Sequence, residues 1–428
     1  MSARALHAVT RFGLGPRPDQ PLPADPERWL RAQIRTPAPL PGPDAADCGR
    51  VSRLRRDDPG FMPSGYFPQE ARAWLGRLLL SPDGFLERWT DLWCNHLCVS
   101  RRAAGVSSWG GHYHRTAIRP HVFGRFEDMF LAAMRHPAML NYLDNVASYG
   151  PGSRAGQNGR LTANENLARE TLELHSVTLE GGYAQEDVAS LALILTGWNI
   201  GRGPDYREPE GFLFRGIRHE PGPKRLMGET FPEGEEGGVA ALRFLARHPC
   251  TYRNLARRIA THFIADDPPA AALARLEASL SASGGDLGEA ARTLVALPEA
   301  WQPLRKLASQ QDYAVAVLRG IGAGEEGVEP LLNRLGAFDQ PLWMPPAPIG
   351  WPDKAPGWNA PEQLMRRLDW VSALSSGLAA NFPLDPPELV ERLRGPLAPE
   401  EVRLAVARAP SRREGFILAL AHPGMHRR

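Results

Sequence analysis

The sequence predicts a mainly α fold, a multi-helical globular structure with a small inserted β-hairpin. Apolar residues recur at helical spacing along most of the chain, as in the run from Trp74 to Leu97, and this period is that of an amphipathic helix. Alternating apolar residues surround a Pro-Gly turn within 212–231, which is typical of a hairpin. Runs that could build a doubly wound sheet or a barrel are missing. With 43% hydrophobic and 23% charged residues, the 428-residue chain can bury a sizeable core.

We expect three regions that form one compact unit. Residues 1–200 are an N-terminal helical region, residues 201–235 are the β-hairpin excursion, and residues 236–428 are a second helical region. The second helical region contains a loop at 341–358, PLWMPPAPIGWPDKAPGW, whose prolines exclude a helix. Its three tryptophans either anchor the loop on the core or stack on a ligand, and we favour the first interpretation.

Local signals place the ends of several helices. Two helices within 68–98 are separated at Ser81-Pro82. Arg-His-Pro occurs at 135–137 and again at 247–249, and each copy ends one helix and begins the next with proline at the first helical position. Asp267-Pro268 and Asp286 have the character of N-caps.

The stretch 161–198, LTANENLARETLELHSVTLEGGYAQEDVASLALILTGW, holds most of the unusual residue choices. A step of 100° per residue divides its first helix into a polar arc and an apolar arc. The polar arc contains Glu165, Asn166, Arg169, Glu170, Glu173 and Ser176. The apolar arc contains Leu167, Ala168, Leu172, Leu174 and His175. The helix breaks at Gly181-Gly182, and a second helix follows over 185–196.

The polar arc has two interpretations. In the first it is a solvated surface on which Arg169 pairs with Glu165 and Glu173, each pair contributing roughly 0.2–0.5 kcal/mol. In the second it is the floor of a concave pocket where Glu170 and Glu173 act as acid and base, because their pKa values are pushed in different directions. Arg169 would then tune them or bind an anionic group, and Asn166 would orient the substrate.

The strings NENLARETLELHS, GGYAQEDV and LTGW resemble those of the bacterial domain-of-unknown-function family 1800. Further strings match the same family, namely RFGLGP near the start, IRPHVFGRF, HPAMLNYLDN, HEPGPK and PPAPIGWPD. Together they cover nearly the whole chain in family order. The family has no established activity, so the resemblance implies membership without implying a reaction.

Residues outside the polar arc offer further substrate contacts. His219 and Lys224 lie in the turn HEPGPK, which two prolines stiffen. We expect the hairpin to pack on the helical body and to bring one of their nitrogens within about 8 Å, one Debye length, of a carboxylate on the polar arc. His96 either caps carbonyl groups at a helix end or closes the site. Trp198, the last residue of the motif stretch, is a further substrate-binding candidate.

These features favour an enzyme that uses paired carboxylates for acid/base, hydrolytic chemistry on a polar polymer such as a glycan. One alternative is a helical binding or assembly protein whose polar arc and tryptophan loop form a partner surface. Another is a metal-dependent enzyme, which requires His96, His136, His175 or His219 to converge in space. No metal is expected from the motif helix alone, because His175 projects about 140° away from Glu170.

Composition and charge indicate which classes of binding partner and which cellular location to expect. The 50 basic and 48 acidic residues give no support for nucleic-acid binding. No apolar run approaches 18 residues, so membrane insertion is not expected, and the start of the chain lacks an apolar signal segment, which predicts a cytoplasmic location. Arginine is spread over many helices, where we expect it to lie on solvated faces.

No P-loop, HExxH or nucleophile elbow is present, so the sequence identifies no cofactor.

The cysteines at 48, 94, 98 and 250 are expected to be free thiols, because disulfides are rare in the cytoplasm. A helix would hold Cys94 and Cys98 at about 6 Å between Cα atoms with poorly directed side chains. Thiol counting under denaturing, non-reducing conditions should therefore give four. A count of two would contradict this prediction.

Overall fold

Helices account for most of the structure, a computed structural model that describes residues 2–58, 66–157, 162–201 and 211–428. Part of the predicted β excursion, 202–210, lies outside the described residues. The described residues form twenty α-helices and two small antiparallel sheets, which confirms the mainly α fold class. The division into three regions stays a prediction.

In chain order the helices are α1 (Ala3–Arg11), α2 (Pro26–Ala32), α3 (Ala45–Asp57), α4 (Tyr66–Leu80), α5 (Gly84–His96), α6 (Gly110–Tyr113), α7 (Phe126–Arg135), α8 (Pro137–Tyr142), α9 (Asn166–Glu170), α10 (Gln185–Ile194), α11 (Glu235–Arg247), α12 (Pro249–Phe263), α13 (Ala270–Ser283), α14 (Leu287–Ala296), α15 (Gln310–Gly320), α16 (Val328–Ala337), α17 (Pro361–Asn381), α18 (Pro386–Leu393), α19 (Glu400–Ala407) and α20 (Arg412–Ala421). Two π-helical turns, His114–Ile118 and Thr171–His175, come directly after α6 and α9.

The strands form two hairpin-like pairs where the sequence predicted one. Strand β1 (Trp198–Ile200) pairs with β2 (Phe212–Phe214), and β3 (Lys224–Leu226) pairs with β4 (Glu229–Phe231), both antiparallel. The turn that joins β3 to β4 is Met227-Gly228, with φ values of 48° and 88°. Two positive φ values are what a two-residue turn between twisted strands requires. The predicted Pro-Gly turn instead connects the two sheets.

Most of the predicted helix ends are confirmed, but α13 begins at Ala270 after Pro269, so the N-cap predicted at Asp267-Pro268 is wrong. Helix α4 ends at Leu80 and α5 begins at Gly84, on either side of Ser81-Pro82. The Nδ1 atoms of His136 and His248 accept hydrogen bonds from the backbone N–H groups of α8 and α12, whose first residues are prolines. Asp286 accepts a hydrogen bond from Glu289 N at 2.9 Å, as an N-cap should.

Buried hydrophobic side chains form one large cluster that joins residues of all three predicted regions. Its most aromatic part surrounds Trp89 on α5. The Trp89 ring stacks on Phe123 at 5.8 Å between centroids, and the rings of Phe85 and Phe263 lie at 5.8 Å and 5.6 Å from it. The indole Nε1 donates to Val122 O at 2.7 Å, so this buried polar atom is satisfied.

Eight arginines of the described residues are buried, whereas most of the others are partly or fully exposed, so the expectation of solvated faces is wrong only for this minority. Arg319 donates to Gly15 O and to the carbonyl groups at the end of α4, and Arg11 does the same at the end of α12. The last carbonyl groups of a helix lack partners within the helix, and a guanidinium with five N–H groups can satisfy several of them at once. Arginine therefore connects helix ends across the interior.

A helix that crosses a bilayer must be both long and apolar. No helix in the described ranges combines the length and hydropathy that crossing a bilayer requires.

The aromatic cluster generates a prediction about stability. We expect Trp89→Ala to lower the free energy of unfolding by about 3–5 kcal/mol, because a large cavity would replace a fully buried ring. Leu404→Ala, at a side chain that is 42% exposed, is the control and should change it by less than about 1 kcal/mol. Urea unfolding measures both; equal losses would contradict the placement of Trp89.

Candidate functional site

The helix that carries the polar arc is not continuous. Helix α9 spans Asn166–Glu170, and a π-helical turn over Thr171–His175 continues it. A π turn holds more residues than an α turn, so side chains after Thr171 are rotated from their predicted directions. Ser176, predicted on the polar arc, is fully buried and donates through Oγ to Thr171 O at 2.6 Å.

The beginning of the polar arc is partly exposed and paired within itself. Arg169 Nη2 lies 2.7 Å from Glu165 Oε2, which is the first of the two predicted ion pairs, and Nη1 donates to Gln185 Oε1 at 3.2 Å. Among the described residues, Arg169 makes no ion pair with Glu173. Asn166 is exposed and donates through Nδ2 to Asp144 Oδ2 at 3.3 Å.

The proton affinity of Glu170 is perturbed by its surroundings. Burial raises the pKa of Glu170, the charge of Glu173 raises it further, and Arg169 opposes both. The charge of Glu170 also raises the pKa of Cys98 and of Tyr142. Glu170 is therefore electrostatically coupled to the end of α5.

His219 and Lys224 are buried and satisfied in their own turn. His219 Nδ1 donates to Thr196 O at 2.8 Å, and Nε2 accepts from Lys224 Nζ at 3.1 Å and Gly234 N at 2.9 Å. Lys224 also donates to Glu220 O. In the described part of the chain, neither side chain forms a hydrogen bond or ion pair with the polar arc. Their predicted role near Glu170 and Glu173 stays a prediction.

Trp198 lies in the core. Its ring is fully buried and packs against Phe212 at 5.2 Å between centroids, with Arg135 above both rings. It anchors the first small sheet on the helices. Among the described residues, no ring contact or hydrogen bond places it beside Glu170.

The four histidines named as metal candidates divide between three places. His96 and His175 are neighbours, with 6.0 Å between ring centroids, whereas His136 pairs with His112 and His219 lies by β3. Within the described ranges, no group of three or more His, Cys, Asp or Glu side chains is placed to hold a metal ion.

His96 does not cap a helix, which corrects one of its two interpretations. It is the last residue of α5 and is 2% exposed, yet neither ring nitrogen has a hydrogen-bond partner among the residues that the structure describes. Its backbone carbonyl accepts a hydrogen bond from His175 Nδ1 at 3.0 Å. Burial lowers its pKa well below the ordinary histidine value, and Arg258 and His175 add to the effect.

A small cavity lies between α5 and the tryptophan loop, 341–358. It encloses about 70 Å³, and its polar lining comes from several distant segments: Asp91, Asn95, His262, Ser309, Gln311, Asp312, Gln340, Asp353 and Arg428. Trp343, Trp351 and Trp358 supply the apolar part. Trp343 and Trp358 are buried, as the anchoring interpretation predicts, whereas Trp351 stays partly exposed.

The tryptophan loop is hydrogen-bonded to the end of α5. Asn95 donates through Nδ2 to Trp351 O at 2.9 Å and accepts from Trp351 N at 2.7 Å. Gly350 has a φ of 87°, and a Cβ there would lie 2.5 Å from Asn95 O. Glycine is therefore required at 350 by conformation and by close approach.

Two carboxylates beside the cavity are held ionised. Asp312 receives Arg88 Nη1 at 2.8 Å and Arg428 Nε at 2.9 Å, one guanidinium on each oxygen. Burial opposes its ionisation, but the charges of Arg428 and Arg88 outweigh burial and lower its pKa. Asp353 accepts from His262 Nδ1 at 2.9 Å and lies within 3.5 Å of Lys306 Nζ. Its pKa is lowered in the same way by the charges of His262 and Lys306, which outweigh burial.

Asp91 behaves differently from its two neighbours. It has no ion-pair partner among the described residues, and its one hydrogen bond there is from Gln311 Nε2 to Oδ2, at 2.8 Å. Burial, followed by the charge of Asp312, raises the pKa of Asp91 to about 7. A carboxyl group that titrates near neutral pH can both donate and accept a proton. Asp91 is therefore the acid/base candidate that the cavity contains.

Of the four cysteines, Cys94 and Cys98 line the cavity, and neither supplies a nucleophile. All four are free thiols in the structure, as predicted. Burial raises the pKa of Cys98 to about 12 and that of Cys94 well above its usual value. Because the thiolate is the reactive form, both side chains are inert packing groups of the cavity wall.

Helix α12 connects the cavity with the polar arc. Asn254, Arg258 and His262 recur every four residues and therefore share one face. Asn254 Nδ2 donates to Leu174 O and Ser176 O at the end of the π turn, while His262 contacts Asp353. Arg258 lies between them.

The sequence contained signals for part of this site. Asp91 lies among the apolar residues Trp89, Leu92 and Trp93 of α5, and this contrast was visible in the sequence. The four-residue repeat on α12 was visible too. The convergence of Asp312 and Asp353 had no local signal, because they lie on a helix start and in a proline-rich loop.

The raised pKa of Asp91 predicts how the stability of the folded protein depends on pH. The unfolded chain ionises Asp91 near pH 4, whereas the folded chain keeps it protonated up to about pH 7. The stability it contributes is therefore fully present below about pH 4 and is lost as the pH rises to about 7. In thermal unfolding, Asp91→Asn should gain melting temperature relative to the wild type over this interval. Asp267→Asn, on an exposed side chain, is the control; a difference independent of pH would contradict the assignment.

Comparison with known proteins identifies the family of the chain but gives no activity. No curated protein and no solved structure is significantly similar to the chain. A family model described as "Protein of unknown function (DUF1800)" matches residues 7–426, almost the entire sequence. Both the polar arc and the Asp91 cavity fall inside the matched range, apart from Arg428. The chain therefore belongs to the DUF1800 family of proteins of unknown function.

Proposed function

We propose that this protein is an enzyme that uses a carboxyl group for acid/base, hydrolytic chemistry on a polar polymer such as a glycan, with Asp91 as the proton-transfer residue. The observation that carries the proposal is the contrast between Asp91, which has no cation partner in the described part of the chain, and Asp312, which has two. Neighbouring carboxyl groups in opposite protonation states are the arrangement that acid/base catalysis requires.

In the proposed reaction, Asp91 ends in the protonation state in which it began. The protonated carboxyl group donates to the oxygen that leaves as the carbon–oxygen bond breaks. Water adds its oxygen to the carbon, and the proton that this water releases restores the Asp91 carboxyl group. A positioned acid of this kind contributes roughly 10²–10⁴-fold to the rate.

The size of the cavity limits what reaches Asp91. About 70 Å³ holds a few water molecules or one small substrate group. A sugar ring does not fit within it, so the scissile oxygen of a polymer would enter while the rest of the chain lies outside. The partly exposed Trp351 at the rim is suited to stack on a sugar ring.

The predicted pair Glu170 and Glu173 competes with Asp91 for the catalytic role. Glu170 also has a raised pKa, and its charge is felt at Cys98, which lines the cavity. Two placements of the same chemistry are thus supported, and the place of Asp91 in the cavity lining, which neither Glu170 nor Glu173 shares, favours Asp91. Substituting each carboxylate in turn distinguishes the two placements of the catalytic residue.

A cytoplasmic location and the absence of nucleic-acid binding belong to the same proposal. The near balance of 50 basic and 48 acidic residues supports the second.

We expect Asp91→Asn to lower kcat by about 10²–10⁴-fold in an assay that measures new reducing ends over a panel of polysaccharides. Asp267→Asn is the matched control, because it makes the same change on a side chain that is exposed. Glu170→Gln and Glu173→Gln should retain most of the activity.

Two outcomes would overturn this assignment. Loss of activity in Glu170→Gln with activity kept in Asp91→Asn would move the chemistry to the polar arc. A wild-type protein that binds polysaccharides and releases no reducing ends would favour the binding-protein alternative.

A further inference from the structure

A second cavity lies apart from the one that contains Asp91, and among the described residues the two have no lining residue in common. It encloses about 460 Å³, which is within the size range of small-molecule sites. Four segments meet around it: helix α1, the chain after α14, the chain after α18, and the residues that follow Pro423. None of its lining residues takes part in the proposed reaction.

The charged side chains that line this second cavity are all cationic. Arg4, Arg394 and Arg427 line it, and among the described residues neither an aspartate nor a glutamate does. His7 lines it as well. Burial, followed by the charge of Arg11, lowers the pKa of His7 to about 4, so its ring is neutral at neutral pH. The charge of the cavity wall therefore comes from the three arginines.

One of these three cations already has a counter-charge. Arg4 Nη2 lies 2.5 Å from Glu27 Oε1, and the Arg4 guanidinium covers the Trp301 ring at 4.0 Å from its centroid. Arg394 and Arg427 make no ion pair within the described ranges, and the groups that accept their hydrogen bonds are neutral. Two positive charges in the cavity wall are therefore unmatched there.

Arg394 is withdrawn from solvent, which makes its charge the more costly of the two. Only 4% of the residue is exposed, and it donates to Met425 O at 3.3 Å and Arg427 O at 3.1 Å. Carbonyl groups satisfy N–H groups without cancelling the charge, and a buried charge without a counter-charge is unfavourable. Burial lowers the pKa of Arg394 to about 10, which leaves the guanidinium charged at neutral pH. Arg11 also has neutral partners, but it lines neither cavity.

The cavity that contains Asp91 shows what a paired arginine in a cavity wall has beside it. Arg428 lines that cavity and is buried, like Arg394. Asp312 and Asp353 lie 2.9 Å and 3.2 Å from Arg428 and line the same cavity. The second cavity has the cations without the carboxylates, so its shape and charge suit an anionic ligand.

The remaining wall of the second cavity is largely apolar. Its side chains there are those of Trp301, Pro303, Leu304, Leu397 and Pro399. A bare inorganic anion would leave most of the space beside them unfilled. Burial of apolar surface contributes roughly 25 cal/mol per Å², so a ligand with a carbon part gains affinity from this wall.

We infer that the second cavity binds a small phosphate monoester, with the phosphate group at Arg394 and Arg427 and the carbon part against the wall around Trp301. A phosphate monoester carries a charge of about −1.5 to −2 at pH 7, which matches two unpaired cations, whereas a carboxylate would leave one unmatched. Guanidinium groups fit phosphate oxygens with parallel hydrogen bonds. The inference does not depend on the proposed function, because hydrolysis at Asp91 uses other residues.

Isothermal titration of the full-length protein at neutral pH with phenyl phosphate, inorganic phosphate and benzoate tests the ligand class. The wild type should bind phenyl phosphate, and benzoate, which has the same ring and a single charge, should bind at least about tenfold more weakly. Inorganic phosphate should also bind more weakly than phenyl phosphate, because it makes no contact with the apolar wall.

Substitution of Arg427 tests the position of the site. Arg427 is exposed, so its replacement leaves the core intact. Arg427→Met should weaken phenyl phosphate binding by about 10- to 100-fold, and Arg427→Lys by less. Arg102→Met is the matched control and should leave the affinity unchanged. Arg102 is also exposed and donates to a backbone carbonyl group, Met344 O, but it lines neither cavity.

Thermal unfolding gives an independent measurement of the same binding. Phenyl phosphate should raise the melting temperature of the wild type and of Arg102→Met, and raise that of Arg427→Met much less, because a ligand stabilises the folded state that binds it. A melting temperature that phenyl phosphate raises equally in all three proteins would overturn the placement of the site.

Three results of the titration would also overturn the inference. A wild type that does not bind phenyl phosphate has no such site. Benzoate that binds as tightly as phenyl phosphate would refute the phosphate assignment, and inorganic phosphate that does so would refute the monoester assignment. Release of reducing ends from glycans bears on Asp91 alone, so failure of the hydrolytic proposal and failure of this one are distinguishable.

Discussion

The contact on which the rest of the site depends is the one between Asp312 and its two guanidinium groups. Arg88 comes from α5, Asp312 from α15, and Arg428 from the last residue of the chain, so one carboxylate joins three distant segments. Arg88 also donates to Gly13 O at 2.6 Å, which adds the segment after α1. Removing one member of such a buried pair leaves an uncompensated charge and costs about 3–5 kcal/mol. The cavity is the space that remains between the segments that this contact holds.

The same contact decides which carboxyl group is free to transfer a proton. Asp312 binds both guanidinium groups through its two oxygens, and Asp353 receives Lys306, His262 and Arg428. Asp91 is left beside a negative charge with one amide donor, so its protonated form is favoured. The unequal behaviour of these carboxylates does not come from their residue type. It comes from how the surrounding cations are distributed among them.

The fold was more predictable from the sequence than the site was. Helical spacing and end signals such as Ser81-Pro82 are local, and local signals survive folding. The π turn after Glu170 was not predictable, because one extra residue in a turn leaves the apolar pattern almost intact while it rotates the side chains beyond the turn. The chemistry of the cavity depends on the long-range contact between Asp91 and Gln311 and on the ion pairs of Asp312 with Arg88 and Arg428, and no spacing in the sequence reports which of these segments meet.

Part of the arginine content, against three lysines, serves the same physics of buried charge, since eight arginines of the described residues are buried. A guanidinium can satisfy several carbonyl groups at once, as Arg319 does at the end of α4, and it keeps its charge in the interior more readily than an ammonium does. Because buried arginines connect helix ends, what matters for each one is whether protein oxygens accept its N–H groups. Arg11 and Arg319 have every reason to be buried without a ligand, because protein oxygens surround them. Arg258 has no such oxygens among the described residues, but its side chain is partly exposed rather than buried, so solvent can satisfy it.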